Sequence, residues 1–495
     1  METKPISKKV VASSMTYSVI ISLISKALGL IISIVLARIL SPSDFGIVAI
    51  VMAFVDISQT IITGGFKVAL VQKKEVDDLD FSTVFIINLA VSVVMVVVLF
   101  FCAPVISQFY NSDLLVKIIQ VYSFSLLFVP FSSVLTARLE KKMKFKELML
   151  VNIVSSVISG AVGIVSAYLG LGVWSILLYY ALHSLLCCAG MAIVQKWFPK
   201  LKFSLEKAKV LFSFGWKMLV SALLTAFYNN IRSIIIGKKY SEADLAYYDR
   251  GRQIPYIIAT TLDNSIQNVM LPTISSVQED KAKVKNMLSK TVKVSILLIL
   301  PAMFGLLVIA EPLVKLLLTD KWLPCVPYLQ LIAIAWATMP FSSANLVAIK
   351  ALGKSNVYLT LEIVRRTIMI GILIISLVCF NSVVAVAIGF AISMWVDVIV
   401  IMIPVKRIIG YSLFDMFKDS WKTILSAVVM GGVVFGLSYI KINYIVLLLI
   451  QIVVGAIIYL LLCKLLKNDV YLNIRLEVLN FFKNHFHKKE RKEDK

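Results

Sequence analysis

Charge is scarce in this chain. Only 16% of its 495 residues are Asp, Glu, Lys or Arg, 59% are apolar, and the mean hydropathy is +0.90. A water-soluble core of this length has no room for so much apolar surface, so the composition excludes a soluble globular protein and indicates an integral membrane protein. Cysteine is scarce too: Cys102, Cys187, Cys188, Cys325, Cys379 and Cys463 show no C-x-x-C spacing. Neither a disulfide framework nor a zinc site is therefore indicated, and the six read as small buried hydrophobes. No G-x-x-x-x-G-K-[ST] string occurs, which leaves nucleotide hydrolysis unsupported as an energy source. The first apolar segment follows Lys4, Lys8 and Lys9 and lacks a small-residue cleavage site. At about 28 residues it is too long for a signal peptide and is expected to stay as the first span.

What the chain has in abundance is apolar runs of span length, roughly 20 residues each. Fourteen are expected, near 10–37, 45–70, 82–106, 114–137, 148–169, 173–195, 210–237, 245–276, 288–310, 325–349, 357–380, 383–405, 421–440 and 444–466. The eighth is interrupted by Arg250, Arg252, Asp263, Asn264, Gln267 and Asn268, and the distribution of basic residues decides in its favour. With fourteen spans and an inner N-terminus, 35 of the 50 basic residues fall in inner segments and their immediate flanks. Six, Arg38, Lys238, Lys239, Lys315, Lys321 and Lys441, fall in outer loops and the remaining nine within spans, a strong positive-inside pattern. Removing the eighth span would put the bases at 281–285 and in the tail on the wrong sides. Both termini are therefore expected to be cytoplasmic.

The sequence also repeats itself. Pro-Phe-Ser-Ser occurs at Pro130–Ser133 and again at Pro340–Ser343, an offset of 210. One shared tetrapeptide means little in a long chain, but other landmarks follow in the same order. "SPSDFG" from Ser41 matches "SEADLA" from Ser241, and Pro104 matches Pro312. A duplicated six-span unit with about ten inserted residues, placed most simply in the outer loops, accounts for these offsets. The expected organisation is a lobe over 1–200, its repeat over 201–410, two extra spans over 411–466 and a basic tail over 467–495. An even span count gives both copies one orientation, so a substrate pathway belongs between them. In the tail, Leu472, Leu476, Leu479, Phe482 and Phe486 follow helical spacing among bases, as suits a helix on an anionic leaflet, and a plain basic end fits equally.

Ionisable groups at membrane depth cost roughly 2.5–3.5 kcal/mol each on insertion scales and usually face a cavity or a partner. Helical spacing gathers them into stripes. Span one aligns Ser18, Ser22, Lys26, Gly29 and Ser33; span two aligns Asp56, Thr60, Thr63 and Lys67; span seven aligns Lys217, Ser221, Thr225, Asn229 and Arg232. Span eight aligns Arg252, Tyr256, Thr260, Asp263 and Gln267 opposite Ile254, Ile258, Leu262, Ile266 and Val269. Four wet faces on repeat-related spans are expected to enclose a basic aqueous cavity. Its cationic candidates are Lys26, Arg232, Arg250 and Arg252, with Asp56 and Asp263 as ion-coupling groups or charge partners. Glu362 with Arg365 and Arg366 is spaced for a structural ion pair, Asp397 stands alone, and His183 reads as a satisfied core residue.

The strings "LARILSPSDFGIVAIV" and "YYDRGRQIP…LPTISSVQED" resemble the polysaccharide transporters, or O-antigen flippases, of the multidrug, oligosaccharidyl-lipid and polysaccharide exporter superfamily, a likeness covering about 1–407. The resemblance implies an all-α membrane protein of about fourteen helices, with two six-helix lobes in a V and two C-terminal helices. It also implies alternating access and export of a polyprenyl-pyrophosphate-linked oligosaccharide across a bacterial inner membrane. Cavity Arg and Lys would hold the pyrophosphate, here Lys26, Arg232, Arg250 and Arg252. Guanidinium chemistry suits that independently, since it pairs with phosphate oxygens through directed hydrogen bonds.

A drug or ion antiporter of the same superfamily is a rival, but a cation exporter should carry more acid than base on its wet faces. A membrane glycosyltransferase or polysaccharide polymerase is another, and would need a larger outer loop to carry its chemistry. The expected partners are the lipid-linked oligosaccharide, membrane lipids and a coupling cation, H+ or Na+, with no cofactor, metal or nucleic acid.

Overall fold

The structure is a computed structural model that describes residues 8–73, 75–440, 442–473 and 475–476; the side chains of residues 8–23, Phe214 and Asn268 are not described. Every regular element among these residues is helical. In chain order they are α1 (Lys8–Ile39), α2 (Pro42–Thr63), α3 (Phe66–Gln72), α4 (Asp78–Tyr110), α5 (Leu114–Ser123), α6 (Val129–Lys141), α7 (Phe145–Tyr168), α8 (Val173–Gln195), α9 (Leu205–Lys239), α10 (Glu242–Ser275), α11 (Lys281–Leu318), α12 (Val326–Trp336), α13 (Met339–Ala351), α14 (Ser355–Cys379), α15 (Val383–Ile409), α16 (Leu413–Leu437) and α17 (Tyr444–Leu465). Short 3-10 turns precede α6 and α12.

Among the described residues, eleven segments are long and apolar enough to cross a membrane, with α5–α6 and the helices through α13 each forming one broken span. The outward faces agree: on α4, Val94, Val98, Phe101 and Val105 are exposed, and on α14, Ile374, Ile375 and Val378. The chain is a multi-pass membrane protein. The remaining expected spans are also helices of span length, α1, α10 and α14, and the last two carry the charged residues that lower their hydropathy. Cys187, Cys188, Cys325 and Cys463 are buried as expected, whereas Cys102 and Cys379 lie exposed on helices rich in exposed apolar side chains; all six are free thiols.

The repeat has a local structural cause. Ser41 and Ser241 each start a helix through a reciprocal cap: the serine hydroxyl accepts from the backbone N–H three residues on, and Asp44 or Asp244 accepts from the serine. At an offset of 210, α6 and α13 are both 13 residues long and end in the same turn. Met143 and Gly353 take positive φ, 54° and 68°, and the following lysine N–H reaches back to Leu139 or Ile349. The inserted residues do not sit mainly in outer loops. The offset grows from 200 at Ser41 to 203 at the N-caps Asp77 and Asp280 and to 208 at Pro104, so half of the extra length lies in α11 and three residues of it between Ser241 and Asp280.

The prolines of the repeated phrase do not kink a continuous helix. Each stands in the first turn of α6 or α13, where a missing N–H costs nothing, and the span is broken just before it. The Leu126 carbonyl, which residue 130 would bond in an unbroken helix, accepts instead from the Val129 N–H that closes the 3-10 turn and from Ser92 Oγ of α4 at 2.9 Å.

The chain divides into two compact units after Asp249, within α10. In the first unit α7 and α8 form a hairpin against α1, α9 lies along α2, and α4 packs on α5 and α6. Phe81, Val84 and Phe85 meet Phe66, Leu70, Val134 and Leu211 in one core. One end is tied by charge: Lys73 and Lys207 share Asp80, Lys67 pairs with Glu140 at 2.9 Å, and Lys207 also bonds Asp77. The Lys207 ammonium holds the Asp77 carboxyl down at about 2.

The second unit is organised on α11, which carries α12, α13, α16 and α17. The two C-terminal helices share its core, with Met430, Val434, Tyr459 and Cys463 packed among residues of α11 and α13. Tyr459 Oη donates to the Leu297 carbonyl at 2.8 Å, and Lys293 pairs with Asp419 at 3.0 Å. Leu476 of the tail is exposed; Leu479, Phe482 and Phe486 lie outside the described residues.

Candidate functional site in the polar spans

The expected stripes separate into open and closed ones. Along α9, Lys217, Ser221, Thr225 and Asn229 are exposed, and the stripe ends at Arg232, which is buried. Arg232 Nη2 donates to Tyr228 Oη at 2.7 Å, one turn earlier, and the guanidinium lies 4.8 Å from that ring. On α1, Lys26 is half-buried, while the side chains of Ser18 and Ser22 are outside the described residues. On α2, Asp56 is exposed and Thr60 half-buried. Lys67 does not continue that stripe. Gly64 and Gly65 take positive φ, 54° and 73°, and end α2, so Lys67 belongs to α3 and pairs with Glu140 of α6.

Arg250 and Arg252 sit two residues apart on α10, which turns their side chains to different sides of the helix. Arg250 Nη1 donates to Gln253 Oε1 at 2.7 Å and its guanidinium lies 5.6 Å from the ring of buried Trp322. Arg252 is half-buried. Gly251 between them meets the α12 backbone: a Cβ there would stand 2.8 Å from Leu329 N. Lys26 and Arg232 thus belong to the first unit and Arg250 and Arg252 to the second.

Asp263 departs from the expected wet face. The buried stripe of α10 in this unit runs through Gly251, Pro255, Ala259, Asp263, Met270 and Ile274, while Val269, expected on the apolar stripe, is exposed. Asp263 is 1% exposed. Ser343 Oγ of α13, the last residue of the repeated phrase, donates to Asp263 Oδ1 at 2.5 Å, and Gln267 Nε2 bonds Asp263 Oδ2. Tyr256 of the same stripe is half-exposed, with its ring 5.4 Å from that of Trp336.

Two further polar groups lie off these stripes. Asp397 of α15 is the bidentate partner of Arg365 of α14, through Nε to Oδ1 and Nη2 to Oδ2 at 2.8 Å. Arg365 Nη1 also donates to Glu362 Oε1 at 2.7 Å, as the spacing of that pair suggested. Asn88 of α4 is fully buried, and neither amide atom has a hydrogen-bond partner among the described residues. The available signal was an Asn in a span, 82–106, whose other polar residues are serine and threonine. His183 is a partnered core residue, with Nε2 3.1 Å from Ser156 Oγ.

Comparison with known proteins agrees with this architecture. The profile of the family described as polysaccharide biosynthesis protein matches residues 35–327. The chain is 24% identical over 389 residues to the teichuronic acid biosynthesis protein TuaB of Bacillus subtilis (strain 168), spanning 77% of this chain and 79% of the relative. It is 23% identical over 329 residues to the lipopolysaccharide biosynthesis protein WzxC of Escherichia coli (strain K12), spanning 65% and 66%. The solved inward closed conformation of lipid II flippase MurJ superposes with a TM-score of 0.76 at 17% identity, over 92% of this chain and 99% of that one, which shows a common fold. With the profile matched over more than half its length, on a chain of membrane-spanning helices with that fold, the protein belongs to the polysaccharide biosynthesis protein family.

Proposed function

We propose that this protein is a flippase that carries a polyprenyl-pyrophosphate-linked oligosaccharide from the inner to the outer leaflet of a bacterial inner membrane by alternating access. The observation that carries the reading is the set of cations borne by helices of span length, Arg232 at the end of a polar row among them. Arg232 closes an exposed row of Ser221, Thr225 and Asn229 on α9, and Arg250 and Arg252 stand on α10, the helix that follows. A pyrophosphate calls for such groups, and hydroxyls and amides along the same faces suit sugar hydroxyls. The relatives named for teichuronic acid and lipopolysaccharide biosynthesis, and the fold of a lipid II flippase, support it.

On this reading the six-span repeats over 1–200 and 201–410 act as the two lobes, Lys26, Arg232, Arg250 and Arg252 meet the pyrophosphate, and both termini are cytoplasmic. Orientation has its own test. A cysteine introduced at Ser241 is expected to react with an impermeant external reagent and one at Lys283 to be spared; the reverse pattern overturns the topology.

The function is tested by reconstituting the protein with labelled lipid-linked oligosaccharide and measuring transfer between leaflets. Each Gln replacement at Lys26, Arg232, Arg250 and Arg252 is expected to slow transfer about 10- to 100-fold, the range for losing a charged hydrogen bond, with Lys26→Arg milder than Lys26→Gln. Wild-type transfer in all four Gln variants overturns the site assignment, and no transfer by the wild type overturns the flippase reading.

A further inference from the structure

Asp263, Gln267 and Ser343 close a ring of hydrogen bonds inside the second unit. Gln267 Nε2 donates both to Asp263 Oδ2 and to Ser343 Oγ, the latter at 2.9 Å, and Ser343 Oγ donates to Asp263 Oδ1. Both partners are neutral. None of the ion pairs among the described residues includes Asp263. A carboxylate buried without a cation is costly, and the cost is relieved by taking up a proton.

The charged groups on the surrounding helices do not supply the missing cation. On α11, Lys293 is held by Asp419 at 3.0 Å and Lys290 is one turn nearer the helix start. Lys350 at the end of α13 lies over the Tyr358 ring at 4.5 Å. Glu362 and Arg365 of α14 and Asp397 of α15 are joined to one another. No Asp, Glu, Lys or Arg stands on α12, whose titratable groups are phenolic Tyr328 only. On α10 itself Glu242, Asp244, Asp249, Arg250 and Arg252 all precede Asp263, and Arg252 is about 16 Å away along the helix at 1.5 Å per residue.

The first half of the chain shows that this carboxyl is not required to build the fold. At the matching position of the repeat, Ser133 is equally buried, and its Oγ has no hydrogen-bond partner among the described residues. The residue 200 positions before Asp263 is Thr63. A broken span with a buried serine after its proline therefore forms without an acid at this position, which only the second copy carries.

We propose that Asp263, Gln267 and Ser343 form a proton-binding site and that its proton is the ion coupled to transport. The coupling rests on the flippase reading; the proton site does not. A proton fits better than a metal cation because both carboxylate oxygens are already engaged by donors, whereas a metal needs several open oxygen ligands. In the binding step a hydronium ion transfers its proton to Asp263 Oδ1 and leaves as water. The new O–H donates to Ser343 Oγ, so the serine hydrogen loses its carboxylate acceptor and α13 loses its charged tie to α10.

The test uses full-length protein in proteoliposomes without substrate, titrated with pH while infrared difference spectra follow the carboxylic C=O stretch. A band that appears on acidification, is missing in Asp263→Asn and titrates about 1 pH unit higher in Ser343→Ala is the expected result, since that variant removes one donor to the charged form. Ser343→Ala keeps the carboxyl and maintains the test should Asp263→Asn fail to accumulate. An unchanged band in Asp263→Asn, or none assignable to a titrating Asp263 with the same midpoint in Ser343→Ala, overturns the site. In a strain relying on this protein for surface polysaccharide, Asp263→Asn is expected to cut export at least tenfold at normal abundance. Wild-type export with the band lost overturns the coupling alone, and export independent of the wild-type chain overturns the flippase reading while leaving the proton site standing.

Discussion

Arg365→Ala and Asp397→Ala are each expected to remove most of the folded protein from the membrane. The two residues are 32 positions apart, on α14 and α15, and both are buried. Their bidentate contact is the kind of pair in which deleting one partner strands the other charge, at a cost of about 3–5 kcal/mol. Replacing both is a different matter. In the double variant Arg365→Met/Asp397→Leu neither charge remains, and Glu362 keeps Arg366 Nε at 3.5 Å. That variant is expected to recover much of the lost abundance, because a well-packed apolar pair can match a buried ion pair. Abundance, monodispersity in detergent and thermal unfolding midpoint are the readouts. Single variants as stable as the wild type would remove the pair from the forces holding α14 to α15.

This pair also shows where the sequence stopped being informative. Glu362 and Arg365 share a helix face, so their spacing announces contact; Asp397 looks isolated because its partner stands on the neighbouring helix. Periodicity identifies a stripe but not what the stripe faces. Along α9 the polar residues are exposed, as are Leu224 and Phe227, yet on α10 the same kind of stripe turns Asp263 into the core, where hydroxyl and amide donors from Ser343 and Gln267 receive it. Hydropathy was enough to locate the long helices, since an apolar surface extends over a whole segment. Breaks within spans depend on a few atoms. Pro130 and Pro340 were visible as prolines, but whether each kinks a helix or starts one depends on partners such as Ser92, contributed by another helix.

Gly46→Ala is expected to destabilise the first unit severely, and Gly46→Val to do so further. The two repeat-related helix starts meet at this glycine: α2 begins at the Ser41 cap, α10 at the Ser241 cap, and Gly46 lies directly against the backbone of Glu242. An added Cβ would stand 2.5 Å from the Glu242 carbonyl carbon and 2.9 Å from its Cα, with the carbonyl oxygen nearer still. No side-chain rotation relieves that overlap, because every atom involved is main chain. The helices must separate, which disturbs the neighbouring contact where Gly237 of α9 admits Ile50 of α2 and Leu245 of α10. Overpacking of this kind costs about 1–3 kcal/mol where neighbours can yield and more where they cannot. Glu242→Ala added to Gly46→Ala is expected to restore nothing, whereas it would rescue if the clash were with the glutamate side chain. Membrane abundance and the thermal midpoint of the purified protein measure both outcomes, and a Gly46→Ala protein as stable as the wild type would show that the two caps do not meet in this way.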